Sequence, residues 1–236
     1  IFFFTDTRND PHGSDYFYLD TSNLVNADIY AQRINGNGNL LWTGNGVVVT
    51  TAPGNQNGYG NDVAISDGAG GAIIVYDDGR NDIPDTFGNP TNNDVFAQKI
   101  NSSGVPQWAV NGISLSTAAG NQYTEGMATD GAGGFVAVWD EENSILIRSQ
   151  KVSSAGAVSW TIDGVTVSSS SDSSYNATIV PDGLGNYLFS YVTQAGIENV
   201  KAQQLNSAGV RQWAPSVTVV CNAGNSPSSL KMLQTE

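Results

Sequence analysis

Short hydrophobic runs bounded by turn-forming residues recur along the whole chain, and each run has the length of a β-strand. FVAVW at 135–139 is continuously apolar, as a strand buried on both faces would be. SILIRSQKV at 144–152 alternates apolar and polar residues, which is typical of a strand with one buried face. No stretch of useful length repeats its apolar residues every 3.6 positions between helix caps. The pattern therefore predicts an all-β protein.

Copies of one sequence pattern follow each other along the chain. Each copy carries a glutamine and a later tryptophan at fixed spacing: Gln32, Gln98, Gln150 and Gln203, then Trp42, Trp108, Trp160 and Trp213. The copies lie 66, 52 and 53 residues apart. A second element, SDGAGGAIIVYDD at 66–78, recurs at 129–141 and 181–193. Four strand-like runs per copy, repeated in tandem, are typical of the blades of a β-propeller.

The two ends of the chain match complementary parts of one repeat. Aligning Asp6 with Asp77 and Asp140 places the first residues of the chain on the second strand of a repeat. The last residues, 221–236, match 116–132 and stop just past a first strand. The interval from the last repeated glutamine through the chain end to the first is 65 residues, similar to the internal intervals.

We therefore predict a single domain over 1–236, a propeller of four-stranded antiparallel blades with four blades in this chain. Residues 1–5 would pair beside residues 230–233, so that N- and C-terminal strands share one blade. The predicted repeats are 1–62 completed by 221–236, then 63–124, 125–176 and 177–220. A window cut from a longer array would show the same ends, so part of a larger propeller is an alternative, and a β-solenoid array is another.

The charge of the chain narrows the classes of partner. Lys and Arg number 9 against 22 Asp and Glu, which gives a net charge of −13. Nucleic acids and anionic membrane surfaces require clustered positive charge, so neither is expected as a partner. Metal cations and neutral ligands such as sugars fit better. No apolar run reaches the roughly 18 residues of a membrane span, so membrane insertion is not expected.

Two acidic inserts distinguish the first two repeats from the others. They follow the second strand of each repeat, at 6–28 and 77–94. Clustered carboxylates beside asparagine carbonyls are what Ca²⁺ accepts, so Ca²⁺ is the candidate cofactor. The candidate metal ligands are Asp6, Asp10, Asp77, Asp78 and Asp82. In the alternative interpretation, Arg8 and Arg80 neutralise neighbouring aspartates while Asp and Asn cap turns.

The same inserts carry the candidate ligand-binding residues. These are Arg8, His12, Tyr16, Tyr18, Arg80 and Phe87. Long loops on a rigid scaffold often carry function, and exposed aromatics beside Asp and Asn can stack on sugar rings. Alternatively, YFYL at 16–19 is another short strand or packs the loop down.

Other repeated features favour structural roles. A tryptophan at a fixed place in every repeat is expected to pack adjacent blades together. The glycines of the DG-x-G turns are expected to supply positive φ in hairpins. No catalytic residues are assigned, because one histidine and one cysteine leave little for a nucleophilic triad or a zinc site. A carboxylate pair for glycoside hydrolysis stays open.

The segments DIYAQRIN at 28–35 and SDGAGGAIIVYDDGRND at 66–82 resemble a repeat found in large secreted or surface proteins of Bacteroidetes-like bacteria, many of them type IX secretion substrates. The resemblance covers nearly the whole chain, although the fourth repeat lacks an Asp after its apolar strand. It implies a secreted or cell-surface, non-catalytic adhesion or binding module that recognises a glycan or a surface protein. The alternatives are a glycan-active hydrolase using insert aspartates, and a structural repeat of an adhesin or self-assembling filament.

Overall fold

The computed structural model describes residues 1–9, 26–56, 63–83, 91–169, 173–195, 197–213, 218–222 and 232. Within these ranges the regular secondary structure consists of β-strands alone, and the strands form four antiparallel sheets. The prediction of an all-β protein is therefore confirmed. The chain divides into two compact halves, 1–121 and 122–236, and each half contains two of the sheets.

The strands of each sheet are hydrogen-bonded in chain order. Sheet 1 contains β1 (Phe2–Asp6), β2 (Asp28–Gln32) and β3 (Val47–Thr50). Sheet 2 contains β4 (Val63–Ser66), β5 (Ala72–Asp78), β6 (Asp94–Ile100) and β7 (Ile113–Ser116). Sheet 3 contains β8 (Gln122–Thr129), β9 (Phe135–Glu141), β10 (Leu146–Val152) and β11 (Val165–Thr166). Sheet 4 contains β12 (Ser174–Pro181), β13 (Tyr187–Ala195), β14 (Ile197–Leu205) and β15 (Thr218–Asn222).

The DG-x-G segments form the hairpins between the first and second strands of sheets 2, 3 and 4. In sheet 2, Asp67 Oδ1 accepts hydrogen bonds from the backbone N–H groups of Ala69 and Gly71, at 2.8 and 2.7 Å. Asp130 and Asp182 repeat this arrangement in sheets 3 and 4. The first two glycines of each hairpin have φ between 75° and 91°, so the prediction of positive φ is confirmed.

The repeated glutamine is a buried latch. Gln150 Oε1 accepts hydrogen bonds from the N–H groups of Lys151 and Trp160, at 3.0 and 2.9 Å, and its Nε2 donates to the Thr161 carbonyl at 2.8 Å. Gln32 and Gln98 make the same three contacts in sheets 1 and 2. The amide thus holds the tryptophan segment against the strand, which explains why the two residues recur ten positions apart.

Each half has a core between its two sheets. In the first half, one face of sheet 1 (Phe3, Ile29, Ala31, Trp42, Val47 and Val49) packs with Ile74, Tyr76, Phe96 and Ile100 of sheet 2. In the second half, residues of β9, β10 and β11 pack with Tyr187, Phe189, Tyr191 and Leu205 of sheet 4. The indoles of Trp42 and Trp160 donate to the Ser102 and Ser207 carbonyls of the following sheet, each at 3.1 Å. The packing role predicted for the tryptophans is confirmed for these two.

The strand register corrects the predicted alignment of the first strand. Phe2 lies opposite Gln32, as Ile74 lies opposite Gln98. Asp6 therefore corresponds to Asp78, and in sheet 3 to Glu141, not to Asp77 and Asp140. The predicted alignment was wrong by one residue, a shift that exchanges the two faces of a strand.

Two predicted repeat boundaries also shift. Strand β8 begins at Gln122 rather than at 125, and β12 begins at Ser174 rather than at 177. The first residues of these strands are mostly polar, so the apolar runs in the sequence did not show that the strands begin there. The predicted pairing of residues 1–5 with residues 230–233 falls almost entirely outside the described residues, and it stays a prediction. Within the described part of the chain, β1 pairs with β2 alone.

Candidate functional site

The root of each acidic insert has the same structure in sheets 1 and 2. Both inserts begin with the sequence D-x-R-N, at residues 6–9 and 78–81. The aspartate is the last residue of β1 or β5, and the arginine folds back over an aromatic ring of the adjacent strand. We call this arrangement the DxRN clip.

The clip of sheet 2 is the more buried of the two. Arg80 Nε and Nη2 donate to the two carboxylate oxygens of Asp78, at 2.9 and 2.6 Å, and the carboxylate is fully buried. The same Nη2 donates to the Asn111 carbonyl at 2.6 Å. The guanidinium carbon lies 3.7 Å from the centre of the Phe96 ring. A bidentate pair stacked on an aromatic face fixes the guanidinium in one orientation.

The clip of sheet 1 repeats these contacts nearer to solvent. Arg8 Nη2 donates to Asp6 Oδ2, and Arg8 Nη1 donates to the Asn45 carbonyl at 3.0 Å. Its guanidinium carbon lies 4.0 Å from the centre of the Tyr30 ring. The hydrogen bond from Arg8 holds the pKa of the Asp6 carboxyl below its usual value.

The asparagine of each clip ties the far end of the insert. Asn81 Nδ2 donates to Asp94 Oδ2 at 2.7 Å, and Asn9 Nδ2 donates to Asp28 Oδ2 at the same distance. Asp28 and Asp94 begin the strands that follow the inserts, and Asp94 lies opposite Asp78 in the ladder. Each clip therefore joins the chain entering an insert to the chain leaving it.

Asp28 is a buried carboxylate with one oxygen that accepts no hydrogen bond from the described residues. Burial raises the pKa of its carboxyl, although the hydrogen bond from Asn9 opposes this rise.

Asp82 links the two described ends of the second insert. Its Oδ1 accepts hydrogen bonds from the backbone N–H groups of Thr91 and Asn92, at 2.8 and 3.0 Å. The Thr91 hydroxyl also donates to the Ile83 carbonyl at 2.9 Å. Residues 82–83 and 91–92 are thereby held together, and residues 84–90 between them lie outside the described chain.

Sheets 3 and 4 lack the DxRN sequence. In sheet 3, Arg148 of β10 forms an ion pair with Glu141, at 3.1 Å between Nε and Oε1. Arg148 takes the position of Phe96, and Glu141 takes that of Asp78. Sheet 4 has Thr193 at the position of the carboxylate. Sheet 3 thus keeps an ion pair at this place but draws its arginine from the strand itself.

The structure brings five of the predicted site residues to the insert roots: Asp6, Arg8, Asp78, Arg80 and Asp82. Asp77 is adjacent to Asp78 in β5, so its side chain points to the opposite face of sheet 2. The other predicted site residues, Asp10, His12, Tyr16, Tyr18 and Phe87, lie outside the described residues.

The contacts of the aspartates bear on the metal and hydrolase predictions. Asp6 and Asp78 are both engaged with arginine, as the alternative interpretation of the sequence proposed. A carboxylate paired in this way is a poor ligand for a cation and a poor nucleophile. Among the described residues, no three His, Cys, Asp or Glu side chains are grouped so that they could hold one metal ion. The Ca²⁺ site stays a prediction, because Asp10 is not described.

Sequence reasoning missed three parts of this arrangement. Asn9 and Asn81 were visible as the fourth residue of a repeated motif, and their spacing from the arginine could have marked them. Asp28 and Asp94 were visible as a pair at equal distances before Gln32 and Gln98. Arg148 gave no such signal, because its partner lies across a hairpin.

No protein-family model matches the chain, and no curated protein is significantly similar to it. Across the described ranges there is no helix that is both long and apolar enough to cross a membrane.

Proposed function

We propose that the chain is a non-catalytic binding module of a secreted or cell-surface protein, which recognises a glycan or a surface protein through the inserts of sheets 1 and 2. In this proposal the four sheets are blades of a β-propeller. The observation that supports it is the DxRN clip, which occurs at the root of both long inserts.

The clips favour binding because they hold the base of each insert in one conformation. Arg80 connects Asp78, Asn111 and Phe96, and Asn81 connects the two ends of the insert. A loop with a fixed base loses less conformational entropy when it binds a ligand. Recognition loops are commonly supported by rigid strands in this way. Loops without such a role are usually short.

The charge of the chain favours a neutral glycan or a basic protein surface as the ligand. The net charge is −13, and the arginines of the clips are already paired with carboxylates. An anionic glycan would meet an unfavourable potential. Ca²⁺ held by insert carboxylates, Asp10 among them, remains part of the proposal and is tested as a condition of binding.

A glycan array tests the proposal, probed with the whole chain with and without Ca²⁺. Two variants replace residues 10–25 or 84–90 by short Gly-Ser linkers and keep both clips. A matched control replaces Glu142 and Asn143, in the short connection of sheet 3, by Gly and Ser. We expect binding to at least one neutral glycan, lost in an insert variant and kept in the control.

The proposal is wrong if the chain binds no glycan and no surface protein, or if both insert variants bind as well as the parent. Release of reducing ends from the bound glycan would instead support the hydrolase alternative. Loss of binding after Ca²⁺ removal, with an unchanged unfolding midpoint, would support a cation within the ligand site.

A further inference from the structure

The connector between sheets 1 and 2, residues 51–56, runs beside the root of the second insert. It follows β3 directly and leads into sheet 2. The backbone N–H of Gly79 donates a hydrogen bond to the Asn55 carbonyl at 2.8 Å. Gly54 lies so close to the same residue that an added Cβ would be 2.5 Å from the Gly79 carbonyl oxygen. The end of the connector is therefore held against the first residue after β5.

The connector has little conformational freedom of its own. Gln56 is fully buried at its end, and its Nε2 donates to the carbonyl oxygens of Ala52, Pro53 and Gly54, at 3.0, 3.2 and 2.9 Å. Pro53 has a fixed φ as well. Because three of its carbonyls share one donor, we expect the connector to move as one piece rather than residue by residue.

The beginning of the connector is joined to the DxRN clip of sheet 2 by Asn111. Asn111 Oδ1 accepts a hydrogen bond from the Thr51 N–H at 3.0 Å. The Asn111 carbonyl accepts from Arg80 Nη2 at 2.6 Å and from the Tyr76 hydroxyl at 3.1 Å. Asn111 has φ 61°, a left-handed conformation that asparagine adopts more readily than most residues. One residue thus joins the end of β3 to the guanidinium that holds the insert.

These contacts form a closed series. Thr51 is bonded to Asn111, and Asn111 is bonded to Arg80. Gly79, the neighbour of Arg80, is bonded to Asn55, which leads back along the connector to Thr51. Hydrogen bonds connected in this way support one another, since none can break without loosening the next. We call residues 51–56, Asn111 and residues 79–82 the coupled unit.

We propose that the coupled unit opens and closes cooperatively, so that the order of the second insert controls the connection between sheets 1 and 2. Coupling between two parts of a protein acts equally in both directions. A contact that orders the insert root therefore protects the Thr51 amide, and loss of the Thr51 bond loosens Arg80. This inference concerns the folded chain by itself and is independent of the function proposed for the inserts.

Amide hydrogen exchange, resolved by residue with NMR, tests the coupled unit. The N–H groups of Thr51, Gly79 and Asp82 all donate to groups within it. We expect these three amides to show similar protection in the parent chain, because one opening exposes them all. The Gly71 N–H, bonded to Asp67 at the other end of β5, serves as the internal reference.

Two substitutions perturb the unit at different places. Asn111→Gly removes the bond to Thr51 and keeps the left-handed backbone, which glycine adopts freely. It leaves the acceptors of Gly79 and Asp82 in place, yet we expect these two amides to exchange about 3–10-fold faster, the effect of one hydrogen bond on a shared opening. Arg80→Met removes no bond of Thr51 and should speed exchange of the Thr51 amide in the same way.

Other copies of the repeat supply the matched controls. Asn45, Asn111 and Asp163 each lie three residues after the repeated tryptophan, and Asp163 has φ 56°. Asn111→Asp keeps both the acceptor oxygen and a residue type found in this turn, so its amides should be protected as in the parent. Asn45→Gly makes the same change in sheet 1 and should leave the coupled unit unaltered.

Three results would overturn the proposal. Asn111→Gly could speed exchange of the Thr51 amide alone, which would show that the bond is local. Arg80→Met could leave Thr51 as protected as in the parent. Either variant could speed exchange of Gly71 equally, which would show a general loss of stability instead of a coupled unit. If circular dichroism shows that Arg80→Met does not fold, Arg80→Lys, which keeps the charge beside Asp78, takes its place.

Discussion

Replacing Arg80 by methionine tests how much the buried DxRN clip stabilises the protein. Methionine keeps much of the apolar volume over Phe96 and removes the guanidinium. Asp78 then stays fully buried without the two hydrogen bonds from the guanidinium and keeps the one from the residue 80 backbone N–H, and the Asn111 carbonyl loses a donor. Breaking a buried ion pair costs about 3–5 kcal/mol. Because the Arg80 side chain is 20% exposed, we expect a loss of about 2–4 kcal/mol in the free energy of unfolding.

Arg8→Met is the matched control, because it removes the same contacts nearer to water. The Arg8 and Asp6 side chains are 33% and 26% exposed. Exposed ion pairs contribute about 0–1 kcal/mol, and an exposed cation–π contact about 0.5–1 kcal/mol. We therefore expect Arg8→Met to cost clearly less than Arg80→Met.

Urea unfolding monitored by tryptophan fluorescence measures both variants, with the slope m checked for constancy. A third variant, Arg80→Met with Asp78→Asn, removes the buried charge as well and should recover part of the lost stability. Equal costs of Arg80→Met and Arg8→Met, within about 0.5 kcal/mol, would show that burial does not strengthen the clip. A double variant no more stable than Arg80→Met would show that the unpaired Asp78 charge is not the cause of the loss.

Three further predictions concern single residues. Gly164→Ala should cost about 2–4 kcal/mol, because its Cβ would lie 2.7 Å from both a backbone carbonyl and the Trp139 ring, whereas Gly131→Ala, with open space around it, should cost about 1–2 kcal/mol; equal costs in urea titrations would contradict the steric explanation. Ile145 has φ 55°, which a β-branched residue adopts with strain, so Ile145→Asn should raise the free energy of unfolding by about 0.5–1 kcal/mol, and a lower urea midpoint would count against this. The pKa of the Asp6 carboxyl is lower in the folded protein, so its ionised form stabilises the fold at pH values above the unfolded pKa of about 3.9, and this contribution is lost as the pH falls through the folded pKa. The difference in urea midpoint between the parent and Arg8→Met should therefore become smaller from pH 7 to pH 3. A constant difference would show that Arg8 acts without this carboxylate.

Much of the fold could be predicted because the same strand and turn signals occur in several copies of the repeat. Hairpin turns depend on local residues, such as the Asp67 carboxylate and the glycines after it, and their sequence is nearly the same in each copy. The packing of Trp42 and Trp160 followed from their fixed position in the repeat.

The register of β1 was harder to predict for a physical reason. The second strands, such as Phe135–Trp139, are apolar on both faces, so no alternation marks which residue points where. The predicted alignment of β1 therefore depended on which of two adjacent aspartates, Asp77 or Asp78, was matched with Asp6. The arginine and asparagine that follow in the DxRN motif fix the register, and the structure shows why they do so.

The candidate site could be located from the sequence but not resolved. Charge and loop length pointed to the two inserts, and the sequence left two interpretations of the aspartates open. The choice between them depends on distances, such as 2.6 Å from Arg80 to Asp78, which no spacing encodes. The ion pair of Arg148 with Glu141 could not be predicted for the same reason, since the hairpin of β9 and β10 brings them together.

The two ways of forming the ion pair set a rule for loop grafting. In sheet 2 the arginine, Arg80, belongs to the insert and lies on the ring of Phe96. In sheet 3 the arginine, Arg148, belongs to the strand and takes the position that Phe96 has in sheet 2. Transplanting the sheet 2 insert onto sheet 3 would place two guanidinium groups against Glu141 and leave the incoming arginine without a ring. An engineered chain that receives this insert therefore also needs the aromatic residue that supports its arginine.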